Sequence, residues 1–122
     1  MIQKESILIA ADNSGAKRLR VIGILSRGNA RTASIGDVVT VSIRGANPNG
    51  VVKDHAIERA VIVRTRKEVG RSDGSYVRFD DNAAVVIDKQ KNPKGSRVFG
   101  PIAREVKDRG FKKIGSLAKE IY

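Results

Sequence analysis

Three places along the chain hold residue types that could do chemistry. Asp80 and Asp81, followed by Asn82, are adjacent carboxylates that could share a cation or perturb each other's ionisation. Neighbouring side chains on an extended backbone point in opposite directions, so the pair reads better as an acidic turn between two strands. His55, the one histidine, could serve a metal or a nucleophile only with Asp54 and Glu58 beside it, and Lys53-Asp54-His55-Ala56 reads as a loop with a solvent-facing or capping imidazole. Ser14 sits in a turn without the flanking pattern of a nucleophile elbow, so its hydroxyl reads as a turn stabiliser. No phosphate-cradling glycine loop is in order, and a chain without cysteine has no disulfide, thiolate metal site or cysteine nucleophile. The expectation is a protein that is no enzyme and carries no metal or cofactor.

What the sequence has in excess is positive charge. Among 122 residues, 24 Lys or Arg stand against 13 Asp or Glu, a formal net charge of +11. Such a surplus favours a polyanionic partner, nucleic acid first, because neutralising phosphates releases condensed counterions. Aromatic residues (Tyr76, Phe79, Phe99, Phe111 and Tyr122) are few for a platform that stacks single strands, and the three phenylalanines read as core. What remains is contact with phosphate and ribose, the mode that reads the shape of folded RNA. The candidate contacts are Lys17, Arg18 and Arg20; Arg27 with Arg31; Arg44; Arg64, Arg66, Lys67, Arg71 and Arg78; and Lys91 and Lys94 in the segment that runs to Arg97. Residues 91–122 alone hold nine Lys or Arg against three acids, just over half of the whole excess. Charge by itself also permits a free regulatory or nucleoid-type binding module. A membrane partner fits less well, since no basic segment makes a long helix with a wide apolar face. The run Ile7 to Ala11 is too short to span a bilayer, and Glu5 interrupts the order a signal peptide needs, so a soluble protein that stays in its compartment is expected.

The elements that must position these side chains are mostly strands, with β-branched residues prominent and Gly, Asn, Asp and Pro clusters at short intervals. The candidates are Ile7 to Ala11, Leu19 to Leu25, Val38 to Arg44, Arg59 to Arg66, Tyr76 to Phe79 and Ala83 to Ile87. In the third, Val39, Val41 and Ile43 alternate with Thr40, Ser42 and Arg44, which puts apolar and polar sets on opposite faces. Asp73-Gly74 supplies a tight turn inside Arg64 to Phe79, a basic hairpin leaning out of a small closed or nearly closed barrel. The end of the chain changes period. Pro101 suits a helix start, Ile102 and Val106 lie one turn apart, Glu105 precedes Arg109 by four and Gly110 can cap the end. A second short helix is expected over Lys112 to Lys119, with Ile114, Leu117 and Ala118 inward. With no repeat or linker, 1–122 reads as one domain: the β body with its hairpin near 64–79 over about 1–100, and short helices over about 101–122.

The run Lys94-Gly95-Ser96-Arg97-Val98-Phe99-Gly100-Pro101-Ile102-Ala103-Arg104-Glu105 closely resembles the signature of the large-subunit ribosomal protein family L-fourteen, bacterial type. Ala11-Asp12-Asn13-Ser14-Gly15-Ala16, Ile35-Gly36-Asp37, Val61-Ile62-Val63-Arg64-Thr65, Asp73-Gly74-Ser75, Phe79-Asp80-Asp81-Asn82-Ala83 and Ser116-Leu117-Ala118 resemble that family in order and spacing, so the likeness runs from Met1 to Tyr122. The chain departs from the family pattern where Glu68-Val69-Gly70-Arg71-Ser72 replaces Gly-Val-Arg-Arg-Pro, and around Asn29 to Ser34 and Lys53 to Ala56.

The resemblance implies an all-β fold: a small five-stranded β-barrel with a projecting β-hairpin and short C-terminal helices. It implies a structural constituent of the large ribosomal subunit, in the cytoplasm or in an organelle. Such a protein binds large-subunit rRNA, contributes to bridges with small-subunit rRNA, and sits beside proteins of families L-three and L-nineteen. By the same resemblance, Ser96, Arg97 and Lys113 lie on the surface that faces the small subunit and receives a ribosome-silencing factor.

Overall fold

The computed structural model describes residues 2–25 and 32–122. Among the described residues, seven strands and two helices follow in chain order: β1 Ile7–Ala10, β2 Ala16–Ile24, β3 Val38–Ala46, β4 Ile57–Arg64, β5 Val69–Gly70, β6 Tyr76–Val77, β7 Ala83–Ile87, α1 Arg104–Asp108 and α2 Lys112–Leu117. Five of them close into a barrel in the order β1-β2-β3-β4-β7, and β5 with β6 forms a separate two-stranded ribbon. Every pairing in the barrel is antiparallel except the closing one, where β1 runs parallel to β7 with Ile9 opposite Ala83 and Ala10 opposite Ala84. Closure leaves none of the five barrel strands with an unpaired edge.

The strand patterns divide the barrel wall into two halves. In β3 the expected alternation holds, with Val39, Val41 and Ile43 fully buried and Arg44 exposed. β4 and β7 instead carry near-continuous apolar runs, Ala60 to Val63 and Ala83 to Ile87, all buried. Two apolar layers explain the difference. Ala60, Ile62, Ala84 and Val86 join Leu8, Leu19, Val21, Val39, Val41 and Ile43 inside the barrel. Val61, Val63, Ala83, Val85 and Ile87 face outward, and Ile102, Val106, Phe111 and Ile114 cover them. A strand wetted on neither face reads as a solid apolar run. Complete burial of each such side chain contributes about 1.5–3 kcal/mol, which is what fastens the short helices to the barrel.

Residues 120–122 reinforce that cover. Ile102 and Ile121 form a parallel bridge, the Tyr122 N–H donates to the Ile102 carbonyl at 2.9 Å, and the Arg104 N–H donates to the Tyr122 carbonyl at 2.9 Å. Gly110, at φ +100°, ends the first helix as expected. The second is shorter than the sequence predicts and stops at Leu117.

The ribbon is also shorter than the Tyr76 to Phe79 expectation, pairing only Val69 with Val77 and Gly70 with Tyr76. Its turn has Gly74 at φ +88°, with the Ser75 N–H and Oγ both donating to Asp73 Oδ1 at 2.9 and 2.6 Å. These bonds hold the Asp73 carboxyl below its usual range. Val77 is buried and Val69 packs against the outer apolar layer, so the root of the ribbon is tied down beside α1. Among the phenylalanines only Phe111 is fully core. Phe79 is half-buried and Phe99 is 52% exposed, and the Arg64 guanidinium occupies the space beneath the Phe99-Gly100-Pro101 backbone.

Candidate nucleic-acid interface

Helices cover one half of the barrel wall; the other half carries cations. Register pairs Ile9 with Arg18 and Arg18 with Arg44, and next to them Ile7 with Arg20 and Arg20 with Ser42. Cross-strand partners project on the same side of the sheet, so Arg18 and Arg44 stand directly opposite each other on the outer face. Both are exposed, as is Lys17, and none of the three has a hydrogen-bonding or ion-pair partner among the described residues. Like charges so opposed cost stability until an anion lies across them, and a phosphate spanning the two guanidiniums is the chemistry this geometry suits. Arg20 differs, being ion-paired with Glu5.

On and around the ribbon the predicted contacts separate. The side chains of Lys67 and Arg78 are exposed and without a partner among the described residues, while the Lys67 carbonyl accepts from Thr65 Oγ1 at 2.9 Å. Arg66 is exposed but steadied, its Nε donating to the Asp80 carbonyl at 2.8 Å and its N–H to Asn82 Oδ1 at 2.8 Å. Arg71 reaches back to Glu105, with Nε 3.0 Å from Oε1, and donates to the Tyr122 carbonyl at 2.5 Å. Arg64 is turned inward: its side chain is 9% exposed, Nε and a terminal nitrogen donate to Asp81 at 2.8 and 3.3 Å, and the other terminal nitrogen donates to the carbonyls of Phe99 and Pro101 at 2.8 and 3.0 Å. The register of β4 against β7 explains its aim. It skips between Ile62 and Arg64, so Val63 and Arg64 together oppose one position, and a bulge of that kind redirects a side chain. The guanidinium thereby becomes an internal tie between barrel and C-terminal segment.

The third group lies near residues 91–97. Lys94 pairs with Glu58 at 2.7 Å, and the Lys91 ammonium sits 5.5 Å from the centre of the Phe111 ring. Ser96 and Arg97 are exposed, yet their backbone is fixed: both N–H groups donate to Asn13 Oδ1 at 2.7 and 2.9 Å, and Asn13 Nδ2 donates to Ser96 Oγ at 2.8 Å. Gly95 is required at this junction, since a Cβ there would come within 2.6 Å of Asn13 Oδ1. Lys113 is exposed on α2. Arg27 and Arg31 lie outside the described residues.

Residues that could have done chemistry serve the scaffold. Ser14 is buried and its Oγ donates to Asp12 Oδ1 at 2.7 Å, while Asp12 Oδ2 accepts the Val86 N–H at 3.0 Å. Burial raises the Asp12 carboxyl above its ordinary range, against the opposing pull of the Ser14 and Val86 bonds. Asp81 is the counter-ion of Arg64, and the His55 ring is exposed, 3.6 Å from Asp54. Among the described residues, no group of three or more His, Asp or Glu gathers to hold a metal, and no helix is long and apolar enough to cross a membrane.

Sequence reasoning missed Asn13 and Arg64 as organisers. Asn13 has a turn-like neighbourhood that hides a partner more than eighty residues away; the apolar run ending at Arg64 was the available signal, since a cation closing such a run is liable to be buried with it. In comparison with known proteins, the family model described as ribosomal protein L14p/L23e matches residues 1–122, the whole chain.

Proposed function

We propose, for a chain that belongs to the ribosomal protein L14p/L23e family, that large-subunit rRNA is held on the outer face of β1 to β3 and on the ribbon. The family is a structural, non-enzymatic one of the large ribosomal subunit, and this chain's role is of that kind. The observation that carries the rRNA reading is the Arg18 and Arg44 pair, two exposed and directly opposed cations with no ion-paired acid among the described residues. Lys17 at the start of β2 and Lys67 and Arg78 by the ribbon add further exposed cations, which fix the protein where phosphates of folded RNA converge. Arg66, Lys91 and Lys94 contribute what their internal contacts leave free.

On the same reading, the surface of Ser96, Arg97 and Lys113 meets small-subunit rRNA in an inter-subunit bridge, and a ribosome-silencing factor competes for it. Support comes from the Asn13 bonds, which present the Arg97 guanidinium on an ordered loop, a planar fork suited to phosphate or carboxylate. Proteins of families L-three and L-nineteen are the proposed neighbours, in ribosomes of the cytoplasm. The test is gradient sedimentation of a lysate containing tagged protein, at low magnesium and moderately high salt, with sequencing of the RNA beneath it. Near-stoichiometric recovery with the large subunit supports the role; recovery at the top of the gradient, or with DNA, overturns it.

A further inference from the structure

Beyond phosphate contact, we infer that the cleft between the ribbon and residues 121–122 takes an unpaired RNA nucleotide, its base stacked on Tyr76 and its phosphates against Arg78 and Arg104. This rests on the rRNA reading and adds a mode of contact to it.

The cleft has a volume of about 580 Å³, with Arg71, Tyr76, Arg78, Phe79, Arg104 and Tyr122 in its lining, within the roughly 300–1,000 Å³ range of small-molecule sites. Tyr76 is 72% exposed and Tyr122 54%, an unusual amount of aromatic surface for so small a protein to leave in water. The Tyr76 ring is nonetheless held. It lies across Gly70, its cross-strand partner, whose missing side chain makes the space: a Cβ there would meet the ring edge at 3.3 Å. One side of the ring therefore leans on backbone while the rest faces the cleft, a preformed stacking surface that loses little rotamer freedom on binding. On the opposite wall, Tyr122 is braced by Phe79, ring centres 6.5 Å apart, and by its own hydroxyl, which donates to Glu120 at 2.6 Å.

The charges choose the occupant. Nearby acids are already engaged: Glu105 by Arg71, Glu120 by the Tyr122 hydroxyl and Asp73 by Ser75. Among the described residues neither the Arg78 nor the Arg104 side chain makes an ion pair or hydrogen bond, and the acids near Arg104, Asp73 and the Asp108 carboxyl one helical turn on, act on it only through space. Aromatic rings between unneutralised guanidiniums match a base and its flanking phosphates better than an apolar peptide, which would leave the cations unpaired.

The test uses fluorescence anisotropy with a labelled oligoadenylate single strand and a blunt RNA duplex of equal length, on the full chain. Tyr76→Ala is expected to lower single-strand affinity by about 5- to 100-fold while changing duplex affinity by less than about twofold, and Tyr76→Phe is expected to retain both. Because Tyr76 is exposed, an unchanged thermal melt should accompany these variants. Equal loss for both RNAs, or no loss for either, overturns the inference. So does binding of an unstructured peptide in place of RNA. If Tyr76→Ala protein still sediments with the large subunit but has no single-strand defect, the stacking site fails and the ribosomal role stands.

Discussion

Asn13 and Ser96, 83 positions apart, clasp each other through two hydrogen bonds, one from the Ser96 N–H to Asn13 Oδ1 and one from Asn13 Nδ2 to Ser96 Oγ. A third bond, from the Arg97 N–H, ends on the same oxygen. The adjacent Asp12 and Ser14 are buried and bonded to each other, and Asp12 accepts from Val86 of β7, so the clasp joins the exposed loop to the barrel wall.

Replacing Asn13 with Ala should release that loop. Amide hydrogen exchange at Ser96 and Arg97 is expected to accelerate, with a stability loss of about 1–2 kcal/mol for bonds that are partly wet. Asn13→Asp keeps the accepting oxygen and should keep both amides protected. Gly95→Ala should mimic Asn13→Ala, since its new methyl group collides with the same oxygen.

Arg97→Ala is expected to weaken joining of the two ribosomal subunits while incorporation into the large subunit remains normal, as read on gradients of reassociated particles. Failure to incorporate would contradict an inter-subunit position for this loop.

The opposed cations should be separable from the fold. Arg18→Ala with Arg44→Ala is expected to reduce the slope of log affinity against log salt by about 1–2 for binding to rRNA fragments. Thermal stability should stay level or rise slightly, because a like-charge cross-strand pair has been removed.

Arg64→Met should behave in the opposite way, leaving the salt slope unchanged and lowering unfolding free energy in urea by about 2–4 kcal/mol, as breaking a largely buried ion pair does. The lower part of that range reflects Asp81, whose side chain is 34% exposed and can be rehydrated.

Asp12 gives a pH signature with an unusual direction. Its carboxyl titrates above the ordinary value of 3.8 in the folded protein, so folding favours the protonated form. Its contribution is therefore greatest below about pH 3.8 and declines as pH rises through the raised folded value, the reverse of an ion-paired carboxylate. Urea titrations of the parent and Asp12→Asn across the acid range should show their stability difference shifting against the parent as pH rises.

Much of this architecture was legible because burial writes itself into periodicity. The alternation of Val39, Val41 and Ile43 located a one-sided strand, and the solid runs at Ala60 to Val63 and Ala83 to Ile87 were strands whose second face lies under the C-terminal helices. The closed five-stranded barrel, expected from the family resemblance, is the architecture observed. What sequence could not supply was whatever depends on a register slip or a distant partner. A one-residue bulge decides that Arg64 serves the interior, and Arg71 is partly withdrawn by Glu105, which lies 34 positions later. Phe99, expected in the core, is instead 52% exposed, with its backbone carbonyl taken by Arg64.

The closing pair of the barrel also governs the order of events during synthesis. β1 finds its parallel neighbour only in β7, more than seventy residues later, while β2, β3 and β4 can zip together as successive antiparallel neighbours. Until Ala83 to Ile87 has left the ribosome that is making it, the nascent chain carries a sheet open on two sides, with the apolar interior of the barrel unsealed. The last strand added is thus the one that seals the barrel, and it comes just ahead of the densely basic residues 91–122.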